Sequence, residues 1–107
     1  MKRYGSIIKV KPEKLEEYKK LHSAVWPGVL ATIKACNIQN YSIFHRENVL
    51  YSYFEYTGTD YQKDMQKMAD DPITQDWWKL CSPCQEPFED RAEGEWWASM
   101  EEVFHLD

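Results

Sequence analysis

The first ten residues alternate. Tyr4, Ser6, Ile8 and Val10 fall on one side of an extended chain, with Gly5 and Ile7 on the other. The pattern predicts a strand over 1–10. After Pro12 the period lengthens: Leu15, Tyr18, Leu21, His22 and Val25 recur at three- and four-residue steps and share one helical stripe. Pro12 suits a first helical turn. Glu13, Glu16 and Glu17 complement the positive end of that helix, and Lys19 and Lys20 lie toward the other end. Pro27 biases Trp26 away from helical angles, so the chain is expected to turn there. A second helix over 27–35 carries Val29, Leu30 and Ile33 inward, and Asn37 to Asn40 predicts a turn.

Tyr41 to His45 and Val49 to Tyr56 predict two strands of a hairpin around Arg46-Glu47-Asn48. The second strand is apolar or aromatic on both sides, as in a sheet covered on both faces. Helices from so short a chain cover one face only, so the other calls for a partner subunit or a ligand. Asp60 and Asp71, the latter followed by Pro72, read as N-caps of helices over 61–69 and 72–80. Ser82 to Glu95, with Pro83, Pro87 and Gly94, predicts a loop of the kind used as a lid or interface arm. Met100 to Leu106 predicts a last strand. The order β-α-α-β-β-α-α-β defines an α+β, ferredoxin-like fold: a four-stranded antiparallel sheet with helices on one face, of the dimeric α/β-barrel type. Residues 1–107 form one such domain in this reading.

Composition narrows the function. Five Trp and seven Tyr in 107 residues are many large surfaces to place in a core, an interface or a ligand site. The net charge of -5, with lysines interleaved among glutamates, argues against nucleic-acid binding. No apolar run approaches a membrane span, and the N-terminus lacks the apolar stretch of a signal peptide. Three cysteines do not make a secreted disulfide framework. The expectation is a cytoplasmic protein.

The candidate chemistry begins with Tyr18, His22 and Trp26, spaced four apart. A half-buried histidine beside a phenol can exchange a proton with a bound hydroxyl near neutral pH, without metal or cofactor. Plain packing accounts for the same spacing. Trp77 and Trp78 point about 100° apart on a helix, so one can pack inward while the other lines a pocket or interface. Trp96-Trp97 reads as dimer contact or strand-edge packing. Tyr41 shares a strand face with Ile43 and His45 and could present its hydroxyl to a ligand on the open sheet face. Cys81-Ser82-Pro83-Cys84 ends a helix instead of opening one, so its thiols lack the field that activates redox cysteines. A zinc site needs roughly four ligands, and Cys36, His22, His45 and His105 supply no second spaced motif. No phosphate-binding loop, dinucleotide fingerprint, nucleophile elbow or zinc-protease motif occurs.

Taken together these residues resemble the L-rhamnose mutarotase family over nearly the whole chain. The carrying segments are Glu17-Tyr18 with His22, Val25-Trp26-Pro27, Asn40-Tyr41-Ser42-Ile43, Gln75-Asp76-Trp77-Trp78-Lys79, and Met100 to Leu106. The resemblance implies a homodimer of ferredoxin-like subunits that interconverts the α and β anomers of L-rhamnose without a cofactor. It implies His22 as the proton donor and Tyr18, Tyr41, Trp77 and Trp78 as sugar contacts. The segment from Pro83 to Glu95 departs from the family pattern, which leaves L-fucose or another 6-deoxy sugar open as substrate. A second reading on the same fold is a cofactor-free monooxygenase or a small-ligand-binding module. A site rich in Tyr and Trp beside His favours a hydroxylated ligand over a purely apolar one.

Overall fold

In the computed structural model, which describes residues 1–107, strand β1 (Lys2–Val10) lies inside the sheet. It pairs along nearly its whole length with β3 (Val49–Tyr56), which pairs in turn with β2 (Ile38–Arg46). The other edge of β1 is shared by two short pieces. β4 (Gln85–Glu86) meets Lys9 and Val10, and β5 (Ala98–Met100) meets Gly5 to Ile7. All pairings are antiparallel, and β4 and β5 together occupy the fourth strand's place in the order β2-β3-β1-β4. Helices α1 (Leu15–His22), α2 (Pro27–Ala35), α3 (Tyr61–Ala69) and α4 (Pro72–Cys81) complete the α+β, ferredoxin-like arrangement.

The predicted alternation holds in β1. Ile8 and Val10 are buried with Leu50, Tyr18, Val29, Trp77, Cys81 and Cys84 in the main core. Cys36, Ile38, Tyr56 and Met68 form a second cluster toward α3. Both aspartate caps form: Asp60 accepts from the Lys63 N–H at 3.1 Å, and Asp71 from the Thr74 N–H at 2.9 Å. A 3-10 turn over Pro12–Lys14 precedes α1, and α1 ends at His22, short of Val25. There Ser23 donates its hydroxyl to the Lys20 carbonyl at 2.6 Å and closes the helix. The hairpin turn is tighter than expected. Arg46 pairs Val49, so only Glu47 and Asn48 turn the chain, both at positive φ.

Three boundaries move, each for a reason beyond local pattern. The last strand is Ala98–Met100, not Met100 to Leu106. Glu102 still reaches Arg3 in a 3.1 Å ion pair, where a continued ladder would put it. Beyond it, Val103, Phe104 and Leu106 are 85%, 79% and 80% exposed and do not pack on the rest of the chain. The segment after α4 is not all loop: Ser82–Cys84 is a 3-10 turn and Gln85–Glu86 pairs with β1. The expected turn at Asn37 to Asn40 is largely strand, because β2 begins at Ile38.

Asn40, at φ 50°, belongs to an irregularity between Gln39 and Ser42, which pair Glu55 and Tyr53. Asn40 and Tyr41 together oppose the single residue Phe54, as in a β-bulge. Tyr41 stays in alternation with Ile43 and His45, which pair Ser52 and Leu50 on the helix side of the sheet. On that side its ring meets Phe54 at 5.5 Å. This corrects the expectation of a Tyr41 hydroxyl on the open face. That face carries Phe44, Tyr51 and Met100, at 65%, 40% and 42% exposure. No helix is long and apolar enough to cross a membrane.

Candidate active site

The four-residue step within α1 places Tyr18 and His22 one turn apart, and their rings stack with centroids 4.2 Å apart. His22 Nδ1 lies 2.9 Å from the Tyr18 backbone carbonyl. A carbonyl only accepts, so Nδ1 carries the hydrogen. Nε2 is left as the nitrogen that can take up or release a proton. From α4, Trp77 sets its ring edge-on to His22 at 5.4 Å and to Trp26 at 5.3 Å. Trp77 is 5% exposed, so it is both core and the wall behind the imidazole. Trp26 caps α2 without a side-chain bond and packs on Trp77.

Tyr18, His22, Ile43, His45 and Leu50 line a cavity of about 240 Å³ between α1 and the sheet. That is below the roughly 300–1,000 Å³ of sites for drug-sized ligands and in proportion to one sugar ring. Burial raises the phenol pKa of Tyr18. Tyr41 is 42% exposed as a residue, yet its hydroxyl end is enclosed, and burial pushes that phenol up to about 12. Both hydroxyls therefore stay protonated at neutral pH and can donate hydrogen bonds. Thus Tyr18 and His22 line the cavity and Trp77 packs behind His22, whereas Tyr41 lies on the same side of the sheet against Phe54 and does not line the cavity.

Trp78 stands apart. It is 41% exposed and borders a wider, shallow hollow of about 600 Å³ with Gln75, Lys79, Ser82 and Pro83. That hollow holds neither a histidine nor a phenol, so the smaller cavity is the better seat for proton transfer. Burial pushes the Cys81 and Cys84 thiols up to about 12 and about 11. Cys84 donates its thiol hydrogen to Glu17 Oε2 at 3.1 Å. Neither is a thiolate at neutral pH, so both serve packing. No three His, Cys, Asp or Glu side chains converge in a way that would hold a metal ion.

Two residues of the site escaped the sequence. Gln85, 7% exposed, donates Nε2–H to the Tyr18 hydroxyl oxygen at 3.3 Å, and Trp96 donates its indole N–H to Gln85 Oε1 at 2.8 Å. Gln85 sits where the pattern reads as loop, so nothing local marks it. His45 also lines the cavity, and its Nε2 accepts the Asn48 N–H at 3.2 Å. Its shared face with Tyr41 and Ile43 was the available clue.

A curled antiparallel sheet backed by helices on one face, with this pocket between the layers, defines a ferredoxin-like protein of the dimeric α/β-barrel type. Solved structures share the fold. An L-rhamnose mutarotase from Formosa agariphila aligns with a TM-score of 0.77 at 22% identity over 100% of both chains. Tetracenomycin F2 cyclase, a type-II polyketide cyclase from Streptomyces glaucescens, aligns at 0.75 with 10% identity over 100% of this chain and 98% of that one. Likeness at that identity speaks for architecture alone. Sequence separates the two. The L-rhamnose mutarotase family model matches residues 3–106. L-rhamnose mutarotases of Oceanobacillus iheyensis and Bacillus subtilis are 37% and 36% identical over 109 aligned residues, covering 100% of each chain. The chain belongs to the L-rhamnose mutarotase family. The family, the isomerase class and the ferredoxin-like fold expected from the residues are all met.

Proposed function

We propose that this chain interconverts the α and β anomers of L-rhamnose in the cavity between α1 and the sheet, with His22 as the acid-base group. The observation that carries the reading is the Tyr18–His22–Trp77 stack beside that cavity, with Nδ1 of His22 already engaged. In ring opening, protonated His22 gives its Nε2 proton to the ring oxygen, solvent water takes the proton of the anomeric hydroxyl, and the C1–O5 bond breaks to leave an aldehyde. Rotation about C1–C2 presents the other aldehyde face. Closure returns the ring-oxygen proton to Nε2, and solvent returns a proton to the anomeric oxygen. Neutral Tyr18 donates a hydrogen bond to a sugar oxygen, Trp77 backs the imidazole, and the expected sugar contact of Tyr41 rests on the resemblance. The expected sugar contact of Trp78 is carried by the resemblance alone.

Titrating the protein with L-rhamnose should change its tryptophan fluorescence saturably, and Trp77→Phe should remove most of that change. A response to an aromatic polyketide with none to L-rhamnose or L-fucose would favour the oxygenase alternative.

The reading extends to a homodimer of one-domain subunits, residues 1–107, with open sheet faces turned toward each other. Phe44, Tyr51, Met100, Val103, Phe104 and Leu106 are all exposed in a single subunit. Burying such a side chain contributes about 1.5–3 kcal/mol, enough in sum to hold two copies. Sedimentation equilibrium should give twice the chain mass, and Phe44→Asp should shift the protein toward monomer. A wild type that sediments as a monomer at assay concentration contradicts the dimer. Three unpaired, buried thiols suit a reducing compartment, which supports a cytoplasmic location. Recovery of the protein outside the cytoplasm in cell fractionation would contradict that.

A further inference from the structure

We propose that Gln85, its amide set by Trp96, is a positioning residue that directs the Tyr18 hydroxyl proton toward the sugar. The inference rests on the reading of the Tyr18–His22 cavity as the sugar site. The indole N–H of Trp96 can only donate, and it reaches Gln85 Oε1 at 2.8 Å. Turning the amide over would set its NH₂ against that N–H, donor against donor. Nε2 therefore faces Tyr18, at 3.3 Å, and the phenol oxygen accepts. The hydroxyl's own proton cannot point at Gln85. It has no acceptor elsewhere in the protein either, since the bond from Gln85 is the only one that the Tyr18 hydroxyl makes.

Tyr18 is 4% exposed, and leaving a buried donor without a partner is costly. The adjoining cavity is where that proton can be satisfied, by a sugar oxygen. Burial also keeps the phenol protonated, so the proton is present throughout the working pH range. Gln85 itself is held in place by the pairing of β4 with Lys9 and Val10. An apolar side chain of its length would fill the same place if packing were its only task.

The test is anomer exchange of L-rhamnose, followed by saturation-transfer NMR from pH 8 to pH 5, on wild type and three variants. Gln85→Glu keeps the shape but, when ionised, accepts from both Trp96 and Tyr18 and draws the phenol proton away from the cavity. Its kcat/KM should fall about tenfold at pH 8, the equivalent of one lost hydrogen bond. As pH falls, the carboxyl gains a proton and can donate again, so the ratio of variant to wild-type rate should climb toward one. Gln85→Met removes the donor and should lower the rate with a ratio that does not depend on pH. Trp96→Phe lets the amide turn over and should fall between wild type and Gln85→Met; Trp96 is 42% exposed, so the fold tolerates it. If Gln85→Glu does not fold, Gln85→Met and Trp96→Phe still decide the matter. A Gln85→Glu ratio that is flat across pH, or Gln85→Met and Trp96→Phe as active as wild type, would overturn the role of Gln85 alone. A wild type that leaves anomer exchange at the buffer rate overturns the site reading itself.

Discussion

His22→Ala should slow catalysed anomer exchange of L-rhamnose by about 10²- to 10⁴-fold, the usual contribution of one well-placed acid-base group. The argument is geometric. The Tyr18 carbonyl holds Nδ1 at 2.9 Å and so leaves Nε2 for substrate. Stacking on Tyr18 at 4.2 Å and the edge of Trp77 at 5.4 Å hold the ring plane. His45 also lines the cavity, but its Nε2 is engaged by the Asn48 N–H at 3.2 Å. Burial keeps the Tyr18 phenol protonated, and Tyr41 is pushed up to about 12. For the same reason the rate should show no phenol-dependent change below about pH 10. His22 is only half-buried, so the variant should unfold within about 1 kcal/mol of wild type. A His22→Ala protein that is folded and exchanges anomers at the wild-type rate removes His22 from the mechanism.

Trp77→Ala should be the most destabilising single change at the site. Truncating a buried tryptophan costs about 3–5 kcal/mol, against a total stability of roughly 5–15 kcal/mol for a domain of this kind. Trp77 is 5% exposed and contacts Trp26 and His22 as well as the main core. Its loss should lower Tm by more than about 10 °C, since each kcal/mol is worth about 4–8 °C at this size. Activity should fall in the folded fraction too, because the wall behind the imidazole is gone. Trp78, 41% exposed, is the control. Trp78→Ala should cost under about 1 kcal/mol. Equal losses of Tm in the two variants, read by thermal unfolding, would mean that the inward and outward assignments of the pair are wrong.

What could be read from residues alone follows a physical line. Tyr18 and His22 were legible because a helix's period is local and needs no partner. The caps at Asp60 and Asp71 were legible for the same reason, each bonding within three residues. Trp77 and Trp78 could be divided into one inward and one outward ring, but not which was which, since that depends on where α4 lies on the sheet. The face shared by Tyr41, Ile43 and His45 was legible from alternation, but not that it turns to the helices instead of the open side, which depends on how β2 pairs with β3. The last strand was misplaced because 98–100 and 101–106 are both plausible strand, and the contest for the edge of β1 decides between them. Gln85 was invisible because its partner Tyr18 lies 67 residues away.

The central claim, that this chain opens and recloses the L-rhamnose ring at His22, is tested most directly by saturation transfer between the two anomeric proton signals. With wild-type protein near neutral pH, irradiating one signal should deplete the other in proportion to protein concentration, while buffer and His22→Ala samples show almost none. Transfer no greater with wild-type protein than in buffer would contradict it.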